Sequence, residues 1–91
     1  MYNISRTKGF KKALKLCAKR GLDISKVEYL IRKLAETGTV SPEYRPHKLS
    51  SKFNYAWECH IESDWLLVWE QDDEDLILLF VNTGTHSDIF G

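Results

Sequence analysis

Gly21-Leu22-Asp23-Ile24-Ser25-Lys26-Val27-Glu28-Tyr29 is the segment from which the architecture follows. Ser25 and Glu28 have the spacing of a capping box, in which each side chain satisfies a backbone N–H at the start of a helix, and Ile24 and Tyr29 hold the positions of a hydrophobic staple. Gly21 supplies the left-handed residue that ends a preceding helix. So few residues separate the two helices that they must fold back on each other as an antiparallel hairpin.

Outward from that segment, the pattern is consistent on both sides. Upstream, Phe10, Ala13, Leu14, Cys17 and Ala18 recur at helical spacing, with Lys8, Lys11, Lys12, Lys15 and Lys19 on the opposite face. Before them, Tyr2 to Arg6 alternates apolar and polar residues and reads as a short strand. Downstream, Val27, Leu30, Ile31 and Leu34 form the apolar stripe of the second helix, and Gly38 ends it. Residues 39–51 are polar, contain Pro42 and Pro46, and read as a loop carrying Arg45, His47 and Lys48. Residues 54–61, 65–70 and 76–83 read as strands, the last two joined by the charged connection Asp72-Asp73-Glu74-Asp75. The order β-α-α-β-β-β predicts a single α+β domain over residues 1–91, a helical hairpin on a mainly antiparallel four-stranded sheet. Strict alternation places Leu76, Leu78, Phe80 and Asn82 on one face of the last strand.

With 91 residues, 43% hydrophobic and 29% charged, the chain has material for one modest core. No segment approaches the roughly 18 consecutive apolar residues of a membrane span, and no secretion signal is recognisable, so a cytoplasmic location without membrane attachment is expected. Cys17 and Cys59 lack close metal-pair spacing and read as reduced core residues. The formal net charge of zero conceals an asymmetry: all 13 Lys and Arg lie between Arg6 and Lys52, and no acid precedes Asp23. Such a distribution leaves a polyanionic partner open, because the local field depends on where the charges sit.

Three histidines carry the chemical signal. His47 lies in the loop, His60 opens His60-Ile61-Glu62-Ser63-Asp64-Trp65, and His86 closes Thr83-Gly84-Thr85-His86, followed by Phe90. Histidine titrates near cellular pH and serves as either acid or base. RNA cleaves itself when its 2′-hydroxyl attacks the adjacent phosphate, so a catalyst has only to take that proton, protonate the leaving 5′-oxygen and hold the charged phosphorane. No metal or other cofactor is needed for that, and no histidine or cysteine pair here has common zinc-site spacing.

The segments Arg45-Pro46-His47-Lys48-Leu49, Trp57 to Trp65 and Thr83 to Gly91 resemble the YafQ branch of the RelE toxin superfamily, and the similarity spans essentially the whole chain. The resemblance implies a RelE-like fold and a type II toxin that enters the ribosomal A site and cuts messenger RNA. It also implies a cognate RelB/DinJ-like antitoxin in a toxin–antitoxin hetero-oligomer. By resemblance, His86 is the general acid, His60 and Asp64 are candidates for base or base-orienting group, and His47 for phosphate contact or proton relay. Phe90 and Trp65 match aromatic positions that would contact RNA by stacking on a base. The family's usual arginine before Thr-Gly is Asn82 here. A replacement cation would have to come from Arg45, Lys48, Lys52 or the first helix, where Lys11, Lys12 and Lys15 form the basic stripe.

Competing readings remain open at the level of sequence. Trp57, Trp65 and Trp69 suit strand packing as well as stacking. Phe90 suits a core plug, and the lysines a solvated helix face. The loss of arginine at position 82 also fits a catalytically weakened module of the same fold that keeps only antitoxin and ribosome binding.

Overall fold

The computed structural model describes residues 1–49 and 56–91. Strand β1 (Asn3–Arg6) leads into helices α1 (Lys8–Lys19) and α2 (Ile24–Thr37), and then a single 3-10 turn at Pro42–Tyr44. Strands β2 (His47–Lys48), β3 (Ala56–Glu62), β4 (Trp65–Asp72) and β5 (Ile77–Gly84) follow, with helix α3 (His86–Phe90) after them. They form one sheet of order β1-β5-β4-β3-β2, antiparallel except for the parallel pairing of β1 with β5.

The sheet thus has five strands rather than four. His47 and Lys48, expected in a loop, pair with Glu58 and Trp57. Proline-rich flanks obscure this strand in the sequence, but two residues are enough to ladder onto the exposed edge of β3. Lys52 and residues 54–55 of the expected strand lie outside the described residues.

α1 starts at Thr7, whose hydroxyl accepts the Phe10 N–H at 3.0 Å, and ends in a paired glycine motif. Gly21 has φ of 84°, while the Leu22 and Gly21 N–H groups donate to the Cys17 and Ala18 carbonyls at 3.1 and 3.0 Å. That geometry is the Schellman stop that glycine permits. The start of α2 corrects the capping-box reading. Asp23 is the cap, its carboxylate accepting both the Ser25 N–H at 3.0 Å and the Ser25 hydroxyl at 2.6 Å, and Glu28 instead pairs with Arg6. An ionised carboxylate is a stronger acceptor than a serine hydroxyl, and the Arg6 guanidinium draws Glu28 away from the cap.

Both helices cover one face of the sheet. Phe10 and Cys17 from α1 and Val27, Leu30, Ile31 and Leu34 from α2 are buried together with Cys59, Trp65, Leu67, Trp69, Leu78 and Phe80. Phe10 meets Phe80 at 5.9 Å between ring centroids, and Trp57 stacks on Trp69 at 6.3 Å. Truncating an aromatic in such a core costs about 3–5 kcal/mol.

The other face holds the polar row. Directly paired residues share a face, so the registers His47↔Glu58, Glu58↔Val68 and Val68↔Asn82 set those four side chains in a line opposite the helices. His60↔Leu66 and Leu66↔Gly84 form the next row. Asn82 belongs here because of a bulge: the register passes from Trp69↔Phe80 to Val68↔Asn82, leaving Val81 as the extra residue. The bulge breaks strict alternation, turning Asn82 to the face opposite Phe80 and Thr83 into the core.

Candidate active site

Four elements bring the three histidines together. β2 carries His47, β3 carries His60, and the step from β5 into α3 carries His86; their rings are spaced 6.4 Å (His47 to His60) and 5.8 Å (His60 to His86) between centroids. Phe90, one turn further along α3 and 45% exposed, continues the line at 6.4 Å from His86. Asp64 reaches the same point from the two-residue turn between β3 and β4.

The position of His86 is set by local sequence. Gly84 has φ of 150°, and a Cβ there would stand 2.7 Å from the Asp88 carboxylate, so glycine is required for the chain to turn into α3. Thr85 caps the helix: its hydroxyl accepts the Asp88 N–H at 3.1 Å and the Asp88 carboxylate accepts the Thr85 N–H at 2.9 Å. Arg20, just past the end of α1, grips the same carboxylate at 2.6 and 3.2 Å. The guanidinium first, and then the Thr85 N–H, hold Asp88 far below the usual carboxylate range.

Each histidine has a different proton arrangement, which follows from its neighbours. A carboxylate only accepts and a guanidinium only donates. The Asp64 Oδ1 lies 2.7 Å from His86 Nδ1, so that nitrogen carries a proton and Nε2 is left for chemistry. The same oxygen takes the His86 backbone N–H at 3.0 Å, and these two contacts, the backbone one first, hold Asp64 below its usual range. At His60 the polarity is reversed. Arg45 Nη2 donates to His60 Nδ1 at 3.3 Å, so the neutral ring keeps its lone pair there. Arg45 itself sits at φ 50°, a left-handed conformation that costs a non-glycine residue roughly 1–2 kcal/mol. At His47 both nitrogens face acceptors: Nδ1 is 3.0 Å from the Arg45 carbonyl and Nε2 is 3.3 Å from Glu58 Oε1.

Of the residues singled out in the sequence, His47, His60, Asp64, His86, Phe90 and Arg45 converge through these contacts, and Asn82 lies on the same sheet face with its Oδ1 accepting the Thr83 N–H at 2.9 Å. Trp65 is a correction. It is 3% exposed and its indole N–H donates to the Thr83 hydroxyl at 3.0 Å, so it packs the core and offers no ring to RNA. The register shift between His60 and Glu62 turns it inward. Lys48 lies over the Trp57 ring at 5.8 Å, on the face away from His47, and Lys11, Lys12 and Lys15 are exposed on α1, also on the helical side. Among the described residues no three His, Cys, Asp or Glu side chains are grouped as metal ligands would be.

Sequence reasoning passed over Glu58 and Arg20. Glu58 stands two residues before His60, hence on the same strand face, a period-two signal available from the sequence. Arg20 and Asp88 are too far apart in the chain for any local pattern to connect them.

The model of the family described as bacterial toxin of type II toxin–antitoxin system, YafQ, matches residues 2–91. The mRNA interferase toxin YafQ of Escherichia coli strain B / BL21-DE3 is 36% identical over 83 residues, which cover 90% of this chain and 88% of that protein. In the crystal structure of the E. coli DinJ–YafQ complex, the matching chain superposes with a TM-score of 0.91 at 33% identity, each chain covered in full. A metal-bound toxin from Helicobacter pylori superposes with a TM-score of 0.89 at 32% identity, covering 99% of this chain and 100% of that one. Fold and sequence together define a toxin of the RelE/ParE superfamily. Within it, the chain belongs to the YafQ family of bacterial type II toxin–antitoxin toxins.

Proposed function

We propose that the chain is an mRNA interferase that cuts ribosome-bound messenger RNA without a metal, by acid–base catalysis. The observation that carries this reading is the Asp64–His86 contact at 2.7 Å, which commits Nδ1 and presents Nε2 beside His60 on an open sheet face. In the proposed reaction the 2′-oxygen attacks phosphorus and the bond to the 5′-oxygen breaks. Protonated His86 gives its Nε2 proton to that leaving oxygen, and Asp64 stabilises the imidazolium beforehand. His60 takes the 2′-proton on Nδ1, the atom that Arg45 contacts in the free protein, once the guanidinium turns to the RNA phosphate. Arg45 then supplies the positive charge that Asn82 lacks, and Phe90 stacks on a displaced base.

The relatives support the rest of the reading. An acidic antitoxin segment would cover this face in a hetero-oligomer, and the toxin would act in the cytoplasm on the ribosomal A site. The uncharged Asn82, already bonded to Thr83, favours a second reading as a catalytically weakened module. One assay separates the two: single-turnover cleavage on translating ribosomes, with and without a chelator during the cutting step. The expected products carry 2′,3′-cyclic or 3′-phosphate and 5′-hydroxyl ends, and His86→Ala slows their formation by about 10²–10⁴-fold. Ends bearing 5′-phosphate, or a requirement for added metal, would overturn the mechanism; ribosome binding without cleavage would favour the second reading.

A further inference from the structure

We propose that Glu58 is a positioning residue that holds His47 in its doubly protonated form, making His47 a fixed positive charge of the site rather than a proton acceptor. The inference rests on the cleavage reading for its consequence, and on geometry for its substance. Glu58 is only 4% exposed, yet it is an acid in the middle of a strand. One of its oxygens lies 3.3 Å from His47 Nε2, and the other has no hydrogen-bond partner among the described residues. A buried carboxylate in that situation needs a counter-charge, since desolvation of a lone anion is costly.

His47 is placed to provide it. Its Nδ1 faces a backbone carbonyl, which only accepts, so a proton occupies Nδ1. A lone pair on Nε2 would then point at the carboxylate at 3.3 Å, and repulsion is removed only by a second proton on that axis. The imidazole is the exposed partner, with 49% of its side chain accessible against 6% for Glu58, so the positive form keeps its hydration while the anion is neutralised in place. Other charged or titratable groups nearby are engaged elsewhere. The Arg45 guanidinium is turned to His60, the His60 ring is 6.4 Å from that of His47, and Lys48 lies over Trp57 on the opposite face.

With both N–H groups committed, His47 has no lone pair for the 2′-hydroxyl proton. It stands one ring away from His60 as a compact cation facing the substrate, where charge builds on the phosphorane. Its contribution disappears when the ring loses its second proton, and Glu58 sets how alkaline the solution must be for that.

Nitrogen-15 NMR on histidine-labelled protein tests this without ribosomes. The parent should show both His47 nitrogens protonated at neutral pH, and in Glu58→Gln the ring should lose its second proton at a lower pH. A neutral His47 with an Nε2 lone pair in the parent at pH 7 would overturn the proposal. On translating ribosomes, Glu58→Gln should cleave more slowly than the parent at pH 8, by about tenfold for one unit of displacement, and close to the parent at pH 6. Matching pH profiles for parent and variant would overturn it as well. A parent that shows the doubly protonated His47 but cuts nothing would refute the cleavage reading and leave the pair standing.

Discussion

His86 gives two hydrogen bonds to a single atom of Asp64: its backbone N–H at 3.0 Å and its Nδ1 at 2.7 Å both end on Oδ1. The turn between β3 and β4 therefore fixes both the start of α3 and the rotation of the imidazole. Asp64→Asn keeps an acceptor and removes the charge, whereas Asp64→Ala removes both. Single-turnover cleavage should fall by roughly 10²-fold in the alanine variant, within the range of general acid–base groups, and less in the asparagine variant. Equal rates in the two would show that charge, rather than orientation, is what Asp64 supplies.

The anchoring of α3 makes the site sensitive to acid. Arg20 holds the folded Asp88 well below the usual carboxylate range. A depressed folded value means that this contribution is fully present above the unfolded value of about 3.9 and is lost as pH falls below it towards the folded value. Asp64 is displaced in the same direction. Acid titration followed by NMR should therefore show His86 and Phe90 losing their native environment below about pH 4, and Arg20→Ala should bring that loss to higher pH. An unchanged midpoint in the variant would exclude the ion pair as the anchor.

Asn82→Arg returns a guanidinium to the histidine face. One electrostatic donor is typically worth about 10²–10³ in rate, so the variant should cut faster in single turnover. The same change forfeits the Asn82 bond to the Thr83 N–H, so denaturant melting should report a loss of about 0.5–1.5 kcal/mol. An unchanged rate with an intact fold would indicate that Arg45 already meets the electrostatic demand.

Burial pushes the Cys59 thiol up to about 12, and Cys17 is raised for the same reason. Neither should react with a disulfide reagent in the native state at pH 8, and both should react on unfolding, because the thiolate is the reactive form. Rapid native labelling of Cys59 would mean that the sheet opens locally between β3 and β4.

Much of this molecule is legible in the chain because periodicity reports burial. The α2 stripe of Val27, Leu30, Ile31 and Leu34 and the Gly21 stop both follow from local chemistry that tertiary contacts reinforce. What escaped was decided by competition or distance. Arg6 removed Glu28 from a capping box, while the capping box that does form uses Thr85 and Asp88. A single extra residue at Val81 reversed the face of Asn82. The histidines were visible as a set, but the burial of Glu58 beneath His47 depends on pairing β2 with β3, which two residues flanked by proline do not announce.

The parallel pairing of Asn3–Arg6 with β5 also governs the order of assembly. β5 is the wedge between β1 and β4, so an emerging chain has no sheet partner for its first strand until Ile77 and its successors are available. Such long-range closure is intrinsically slow. It also acts as a delay, because the strand that completes the sheet leads directly into His86. Until the last strand inserts, a growing chain holds His47, His60 and Asp64 with no acid to finish the cut, and is harmless to the machine that is making it.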